Sequence, residues 1–162
     1  PGFASACEAI SGFRYLNGYP DEVPVRPNLS LGDTVSGLHA VIGIMMALQA
    51  RDNQTVEQSG EGQVVDVALY ESMFNLLEAV IPEYHGADII RQPSGTTVTG
   101  IVPTNTYRCK DDKYLVIGGN GDSIFVRLMQ AVGRDDMAEN KAYATNADRV
   151  RHEAQIDAVL KA

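Results

Sequence analysis

One aspartate, Asp33, is the residue of this sequence best suited to covalent chemistry. It lies between Gly32 and Thr34, where the longest helical pattern of the chain begins. Free backbone N–H groups and the helix dipole stabilise negative charge at such a position. An ionised carboxylate in a tight turn can attack a thioester, so Asp33 is a candidate nucleophile, although spacing alone favours a plain helix cap. Two other acids, Glu8 and Glu71, lie in apolar helical runs; either could be a buried acid, but exposed helix stripes are the expectation.

Three histidines and two loops are weaker candidates for a functional role. A lone histidine beside a helix is more often structural or solvated than catalytic, and this applies to His39 and His85, whereas His152 lies in a charged helical stretch and is expected at the surface. Segment 118–121 is glycine-rich between a strand pattern and a helical one, so it could cradle an anion or form an ordinary turn. Residues 94–100 are small and polar, and could close over a site or merely connect two domains.

Periodic apolar residues predict the elements that must position these groups. Helical spacing covers residues 3–10, 32–48, 69–80, 123–132 and 148–160. A short β-compatible stretch covers 64–68, and the stretches 105–109 and 114–118 predict a hairpin. Pro82 is expected to end the helix before it. The pattern predicts a helix-rich segment followed by a small α+β domain, with the boundary after residue 82.

The composition argues against several classes of protein. The net charge is −8, from 21 acidic and 13 basic residues, which disfavours a broad nucleic-acid-binding surface. The two cysteines form neither a disulfide framework nor a C-x-x-C motif, so we expect a cytoplasmic location and no metal site. The longest apolar run, near residues 42–48, is too short to span a membrane. No signal peptide is visible, and the start at Pro1 suggests a processed or partial chain.

A series of short motifs runs through nearly the whole chain in a fixed order. They are Pro1-Gly2-Phe3, Asn17-Gly18-Tyr19-Pro20-Asp21, Leu31-Gly32-Asp33-Thr34-Val35-Ser36-Gly37, Gly60-Glu61-Gly62-Gln63-Val64-Val65-Asp66-Val67, Ile101-Val102-Pro103 and Ala144-Thr145-Asn146-Ala147-Asp148-Arg149. In this order they resemble the class III CoA-transferases, which include formyl-CoA transferase and carnitine CoA-transferase. The Arg26-Pro27-Asn28 run is most similar to the subgroup that uses dicarboxylic acyl groups, such as succinate–hydroxymethylglutarate CoA-transferase.

The resemblance implies an α/β to α+β fold and a CoA-transferase activity. Residues 1–82 would be the linker and helices of the large domain, and 83–162 part of the small α+β domain with its hairpin. Asp33 would attack an acyl-CoA to give a mixed anhydride and then an aspartyl-CoA thioester. The expected substrate-binding residues are those of the loop that covers the active site in the family, here Ser94, Gly95, Thr96, Thr97 and Gly100.

The resemblance also implies the molecules that this chain would meet. Acyl-CoA and a small carboxylate would be substrates, with no permanently bound cofactor. A homodimer is expected, without nucleic acid or membrane as a partner. Helices that face the N-terminal half of the family's large domain, which this chain lacks, are expected to expose apolar surface.

Two departures from the family pattern keep other functions open. The loop at 94–100 is threonine-rich rather than a run of glycines, and Ala4 stands where relatives often carry an acid. One alternative is a non-catalytic fragment of the fold, or a module that oligomerises. The other is an acyl-CoA racemase, which needs a pair of bases rather than a nucleophile.

Overall fold

Helices and one hairpin make up the regular structure of the computed structural model, which describes residues 2–53 and 60–161. In chain order these residues form α1 (Ala4–Ile10), α2 (Phe13–Leu16), α3 (Leu31–Asp52), α4 (Leu69–Phe74), a 3-10 turn (Asn75–Leu77), α5 (Val80–Ala87), β1 (Thr104–Arg108), β2 (Tyr114–Gly118), α6 (Asp122–Ala131), α7 (Asp135–Ala138), a second 3-10 turn (Lys141–Tyr143), α8 (Asn146–Val150) and α9 (Glu153–Lys161). The predicted fold class, helices followed by a small α+β region with a hairpin, is confirmed.

The chain divides into two units, Pro1–Pro93 and Ser94–Ala162. This division follows α5, whereas a cut after residue 82 would pass through that helix. The reason is local: the segment after α5 packs back on its own unit, where Arg91 Nη2 donates to Glu83 Oε1 at 2.5 Å. The assignment of these units to the large and small domains of the family stays a prediction.

The first unit is organised around α1, which packs against both α3 and α4. Three residues of α1 and its C-cap, Ala4, Glu8 and Ser11, are buried and recur every three or four positions, so they form one helix face. The backbones come close here, because a Cβ added at Gly32 would lie 3.0 Å from the Ala4 Cβ. Met73 of α4 is fully buried beside this contact.

Most of α3 is exposed along its length. Its buried residues are Gly32 and Ser36, near its start, whereas apolar side chains further along, among them Leu38, Val41 and Met46, are exposed. Within the described ranges, α3 is the one helix long and apolar enough to cross a membrane, with a mean hydropathy of 1.5 over its most apolar window. The sequence prediction missed this because it counted only an uninterrupted apolar run. Core helices of soluble proteins meet the same criterion.

The second unit has its own apolar core beneath the hairpin. Strands β1 and β2 pair antiparallel, with Thr104 opposite Gly118 and Arg108 opposite Tyr114. The core is formed by Val102, Phe125, Met129, Met137 and Ile156, which come from the segment before β1 and from α6, α7 and α9. Of the apolar residues that helical spacing places on one face of α6, Phe125 and Met129 are buried and Leu128 is partly buried, whereas Ile124 is 45% exposed.

A fully buried arginine, Arg149, ties this second unit together. Its guanidinium donates to the carbonyl oxygens of Val102 at 3.0 Å and Tyr143 at 2.9 Å, and pairs with Asp122 at 2.8 Å. It also lies 4.9 Å from the centre of the Phe125 ring, within cation–π range. Because a buried charge needs such partners, Arg149 fixes the segments that surround it.

Three local predictions were wrong, each for a physical reason. Residues 64–68 pair with no strand among the described residues, and Val65 instead packs on α3. Pro82 lies in the first turn of α5, where proline is tolerated. The helical segment before it ends earlier, with the 3-10 turn at Leu77, and its C-cap Glu78 has a φ of 52°. The predicted helix 148–160 is two helices, α8 and α9, separated at residues 151–152.

Candidate active site

Asp33 lies in the first turn of α3, which begins at Leu31 with Ser30 as N-cap. Asp33 is therefore the third helical residue. The sequence had suggested that it is the N-cap, and this was wrong. The Thr34 N–H and hydroxyl both donate to the Ser30 carbonyl, at 3.0 and 2.9 Å, which closes the helix start. An acidic residue in this first turn is favourable because the helix dipole is positive there.

The Asp33 side chain is exposed. Across residues 2–53 and 60–161 its carboxylate accepts no side-chain hydrogen bond and forms no ion pair. The N–H groups of Leu31, Gly32 and Asp33 itself belong to the first turn, where backbone donors have no intrahelical acceptor. The arrangement offers a free carboxylate beside free amide donors.

A buried carboxylate, Glu8, lies one helical turn from the Ala4–Gly32 contact. Its side chain has no exposed surface, and Oε2 lies 3.1 Å from Nη2 of Arg14 while Oε1 lies 3.6 Å from Nη2 of Arg26. The expectation of an exposed stripe was wrong for Glu8, although Glu71 is exposed. The spacing of Glu8 with Ala4 and Ser11 on one face was the signal that could have revealed its burial.

The predicted substrate loop, Ser94, Gly95, Thr96, Thr97 and Gly100, lies at the start of the second unit. Ser94 Oγ donates to the Thr97 carbonyl at 2.8 Å and Thr97 Oγ1 donates back to the Ser94 carbonyl at 3.0 Å. Gly95 and Gly100 have φ values of 66° and 82°, which glycine adopts without strain. The loop is thus a pair of linked turns. No described contact tests its role, which stays a prediction.

A polar network holds this loop to the hairpin and α9. Thr96 Oγ1 donates to Asn105 Oδ1, while Asn105 Nδ2 and the Tyr107 hydroxyl each donate to the Asp157 carboxylate at 2.7 Å. Burial, and then the hydrogen bond to Asp157, raise the pKa of Tyr107 above its ordinary value. Burial, and then the charge of Asp157, also raise the pKa of Glu153.

The three histidines have different surroundings. His39 Nε2 lies 3.4 Å from Asn75 Nδ2, and both side chains line a cavity of about 320 Å³ together with Asp66, Glu71 and Ser72. His85 is exposed on α5. His152 is half-buried, with Nδ1 2.9 Å from the Asp148 carbonyl and its ring edge-on to Tyr143. Its position on the surface was predicted and is only partly correct.

The glycine-rich segment 118–121 is a packed turn between β2 and α6. The Gly119 N–H donates to the Pro103 carbonyl at 2.8 Å, and the Asn120 carbonyl accepts from Arg149. A Cβ at Gly119 would lie 2.7 Å from Leu128 Cδ2 and 3.2 Å from Pro103 Cγ, so the turn packs closely on both side chains. Of the two readings that the sequence left open, this geometry favours the turn. No group of three or more potential metal ligands occurs among the described residues.

Solved structures share this fold. A CAIB/BAIF family protein from Brucella suis superposes with a TM-score of 0.71 at 28% sequence identity, and the match covers 99% of this chain and 41% of that one. The helix-rich first unit and the hairpin unit thus have the fold of that CAIB/BAIF family protein.

The chain belongs to CoA-transferase family III, because the sequence model of that family matches residues 1–162. It is 38% identical over 161 residues to succinyl-CoA–D-citramalate CoA-transferase of Chloroflexus aurantiacus, a match that covers 99% of this chain and 39% of that enzyme. It is 33% identical to the beta subunit of succinyl-CoA–L-malate CoA-transferase of the same organism, again covering 99% of this chain and 39% of the relative. The chain thus spans well under half the length of these relatives.

Proposed function

We propose that this chain carries the nucleophile of an enzyme that moves CoA between an acyl-CoA and a carboxylic acid, with Asp33 as the acyl carrier. The observation that carries the proposal is the free Asp33 carboxylate in the first turn of α3, in a chain of family III. A carboxylate held in an ion pair is a poor nucleophile. Asp33 has no such partner within residues 2–53 and 60–161.

In the first half-reaction, an Asp33 carboxylate oxygen attacks the thioester carbonyl of the acyl-CoA. The C–S bond breaks, CoA leaves as the thiolate, and a mixed anhydride of Asp33 with the acyl group remains. The thiolate then attacks the Asp33 carbonyl of the anhydride. This releases the donor acid as its carboxylate and leaves an aspartyl-CoA thioester.

The second half-reaction runs the same steps in reverse with the acceptor. The acceptor carboxylate attacks the aspartyl-CoA thioester, which expels CoA thiolate and forms a new anhydride. The thiolate attacks the acceptor acyl carbon, so a new acyl-CoA leaves and the Asp33 carboxylate is regenerated. Each attack places negative charge on a carbonyl oxygen, and the free first-turn N–H groups of α3 are donors that suit such an oxyanion.

We assign the loop Ser94, Gly95, Thr96, Thr97 and Gly100 to the face that covers the acyl-CoA during the reaction. The two positive-φ glycines, Gly95 and Gly100, carry no side chain that would block a ligand. The hydroxyl groups of the loop's serine and threonines are donors for phosphate or carbonyl oxygens. A cover of this kind would exclude water, which otherwise hydrolyses an anhydride or thioester.

A dicarboxylic acyl-CoA such as succinyl-CoA is the proposed donor. The relatives named above are succinyl-CoA CoA-transferases, and the mouse succinyl-CoA:glutarate CoA-transferase is 29% identical over 161 residues. The acceptor would be a second small carboxylic acid. CoA itself is then a substrate and no resident cofactor is needed.

The exposure of Asp33 and of α3 supports a partner for this chain. An anhydride needs a dry site, and exposed apolar side chains on α3, such as Val41, Ile42 and Met45, need a cover. We propose that further sequence of the longer enzyme type and a second copy provide both. In this proposal α3 is a core helix of the assembly and not a membrane span.

The test is acyl transfer by the natural protein, with whatever sequence flanks these residues, and by its Asp33→Asn variant. With succinyl-CoA and hydroxylamine, the parent should form a hydroxamate at Asp33, detected by peptide mass spectrometry. Asp33→Asn should form none and lose at least about 10³-fold in CoA exchange, because an amide is no nucleophile here. Asp52→Asn, at the exposed far end of α3, is the matched control and should keep the parent rate.

Three outcomes would contradict the proposal. Full CoA exchange by Asp33→Asn would remove Asp33 from the reaction. Exchange of the α-hydrogen of an acyl-CoA for deuterium, without any hydroxamate, would instead indicate the racemase alternative. Absence of both activities in the natural protein would favour a non-catalytic, oligomerising chain.

A further inference from the structure

A buried carboxylate on α1, far along the chain from Asp33, is connected to the start of the helix that carries Asp33. Glu8 has no exposed side-chain surface, and its Oε1 accepts no hydrogen bond from the described residues. A buried charge in this state is costly unless cations balance it. The cations present are Arg14, at 3.1 Å, and Arg26, at 3.6 Å.

Arg26 links this carboxylate to the approach to α3. Its Nη2 atom lies 3.6 Å from Glu8 Oε1 and donates to the Leu29 carbonyl oxygen at 3.1 Å. Leu29 immediately precedes Ser30, the N-cap of α3, whose carbonyl accepts from both the N–H and the hydroxyl of Thr34. One guanidinium nitrogen thus lies between the buried charge and the backbone that enters the helix.

A second contact fixes the same turn from the other side. Gly32, the residue before Asp33, packs on Ala4 of α1, and no larger residue fits without a shift because a Cβ at Gly32 would lie 3.0 Å from the Ala4 Cβ. Ala4 and Glu8 are one helical turn apart on the same face of α1. The backbone contact and the ion pair therefore hold residues 29 and 32 against one short helix.

We propose that Glu8 and Arg26 are positioning residues, which hold the first turn of α3 so that the Asp33 carboxylate is presented at the reacting carbonyl. The inference rests on the proposed role of Asp33. Neither residue touches the substrate in this role. Loss of the link lets the start of α3 move, and reaction rates are sensitive to displacements of about 1 Å in a nucleophile.

The test compares Arg26→Gln and Glu8→Gln in the natural protein, with succinyl-CoA as the probe. Either change should lower kcat, and the rate of hydroxamate formation at Asp33, by about tenfold or more while KM for succinyl-CoA stays within about twofold. The two changes should not be additive, since each breaks the same link. Arg26 has 41% of its side chain exposed, so Arg26→Gln is the variant expected to fold if Glu8→Gln does not.

A matched control separates positioning from a general loss of stability. Glu83→Gln breaks another carboxylate–arginine pair of the same unit, in which Arg91 Nη2 lies 2.5 Å from Glu83 Oε1, and it has no link to α3. It should lower the melting temperature while kcat stays at the parent value. Arg26→Lys keeps the charge and should restore part of the rate lost in Arg26→Gln.

The outcomes distinguish this inference from the proposed function. If Asp33 is acylated in the parent but Arg26→Gln reacts at the parent rate, or changes only KM, the positioning role is wrong and the nucleophile stands. If Glu83→Gln lowers kcat as much as Arg26→Gln does, stability explains the effect and the inference is overturned. If CoA exchange proceeds without acylation of Asp33, the proposed function itself fails.

Discussion

At the scale of single residues, two acidic side chains have opposite surroundings. Glu8 is buried between two arginines, whereas Asp33 is exposed and has no partner among the described residues. A buried, paired carboxylate contributes to structure, while a free one at a helix start is available for reaction. The sequence made Asp33 a candidate nucleophile, which stays a prediction, and it did not predict the burial of Glu8, although the spacing of Glu8 with Ala4 and Ser11 was a signal for it.

A third acid, Glu153, predicts how stability depends on pH. Its carboxyl pKa is raised in the folded protein by burial and then by the charge of Asp157. The folded state thus holds this proton more tightly, so the contribution of Glu153 to stability is highest at low pH and falls as the pH rises through the folded pKa. Glu153→Gln removes the unfavourable free energy of the ionised carboxylate in the folded state.

We expect Glu153→Gln to raise the melting temperature by about 1–3 °C at pH 7 and to leave it unchanged near pH 3.5. Differential scanning calorimetry at both pH values measures the difference from the parent. Glu139→Gln, an exposed change in the same unit, should shift neither value. An equal gain at both pH values would show that the charge of Glu153 is irrelevant.

At the scale of elements, two glycines of α3 have opposite surroundings. A Cβ at Gly43 would lie 2.7 Å from Val65 Cγ1, whereas a Cβ at Gly37 would meet nothing within 4 Å. Alanine is the better helix former by about 1 kcal/mol, so only the clash decides the sign of each substitution. Gly43→Ala should lower the free energy of unfolding by about 2 kcal/mol, and Gly37→Ala should raise it by about 0.5–1 kcal/mol.

Urea denaturation of the two variants beside the parent measures both changes. The pair is internally controlled, since both substitutions add one methyl group to the same helix. A stabilised Gly43→Ala protein would mean that the extended segment at residues 64–66 does not rest on α3.

The same elements show how far the sequence could predict the fold. The hairpin and the apolar face of α6 followed from periodicity, because local patterns determine them. The packing of segment 64–68 on α3 could not be predicted, because Val65 contacts Gly43, which lies more than twenty residues earlier in the chain. The helix break at Glu78 could not be predicted either, because no glycine or proline stands at that position.

At the scale of the whole molecule, the chain has more apolar surface than its own units cover. Met45 and Met46 of α3 have 60% and 68% of their surface exposed. Within residues 2–53 of the first unit, this side of α3 has no covering neighbour. The predicted homodimer would provide one.

The substitution Met46→Glu tests this interpretation. A charge buried at a contact between copies should shift the protein from dimer towards monomer, with at least a tenfold rise in the dissociation constant. Light scattering coupled to size-exclusion chromatography measures the mass. Val132→Glu, an exposed apolar position in the second unit, should leave the mass unchanged. A parent protein that is monomeric at all concentrations would contradict the prediction.

The contact between Ala4 and Gly32 restricts how this protein can diverge. Because positions 4 and 32 nearly touch, the distance between the backbones of α1 and α3 limits the combined volume of their two side chains. A natural sequence that enlarges position 4 must keep glycine at position 32 or move α1 outward. Substitutions at the two positions that support the turn carrying Asp33 are therefore expected to be correlated.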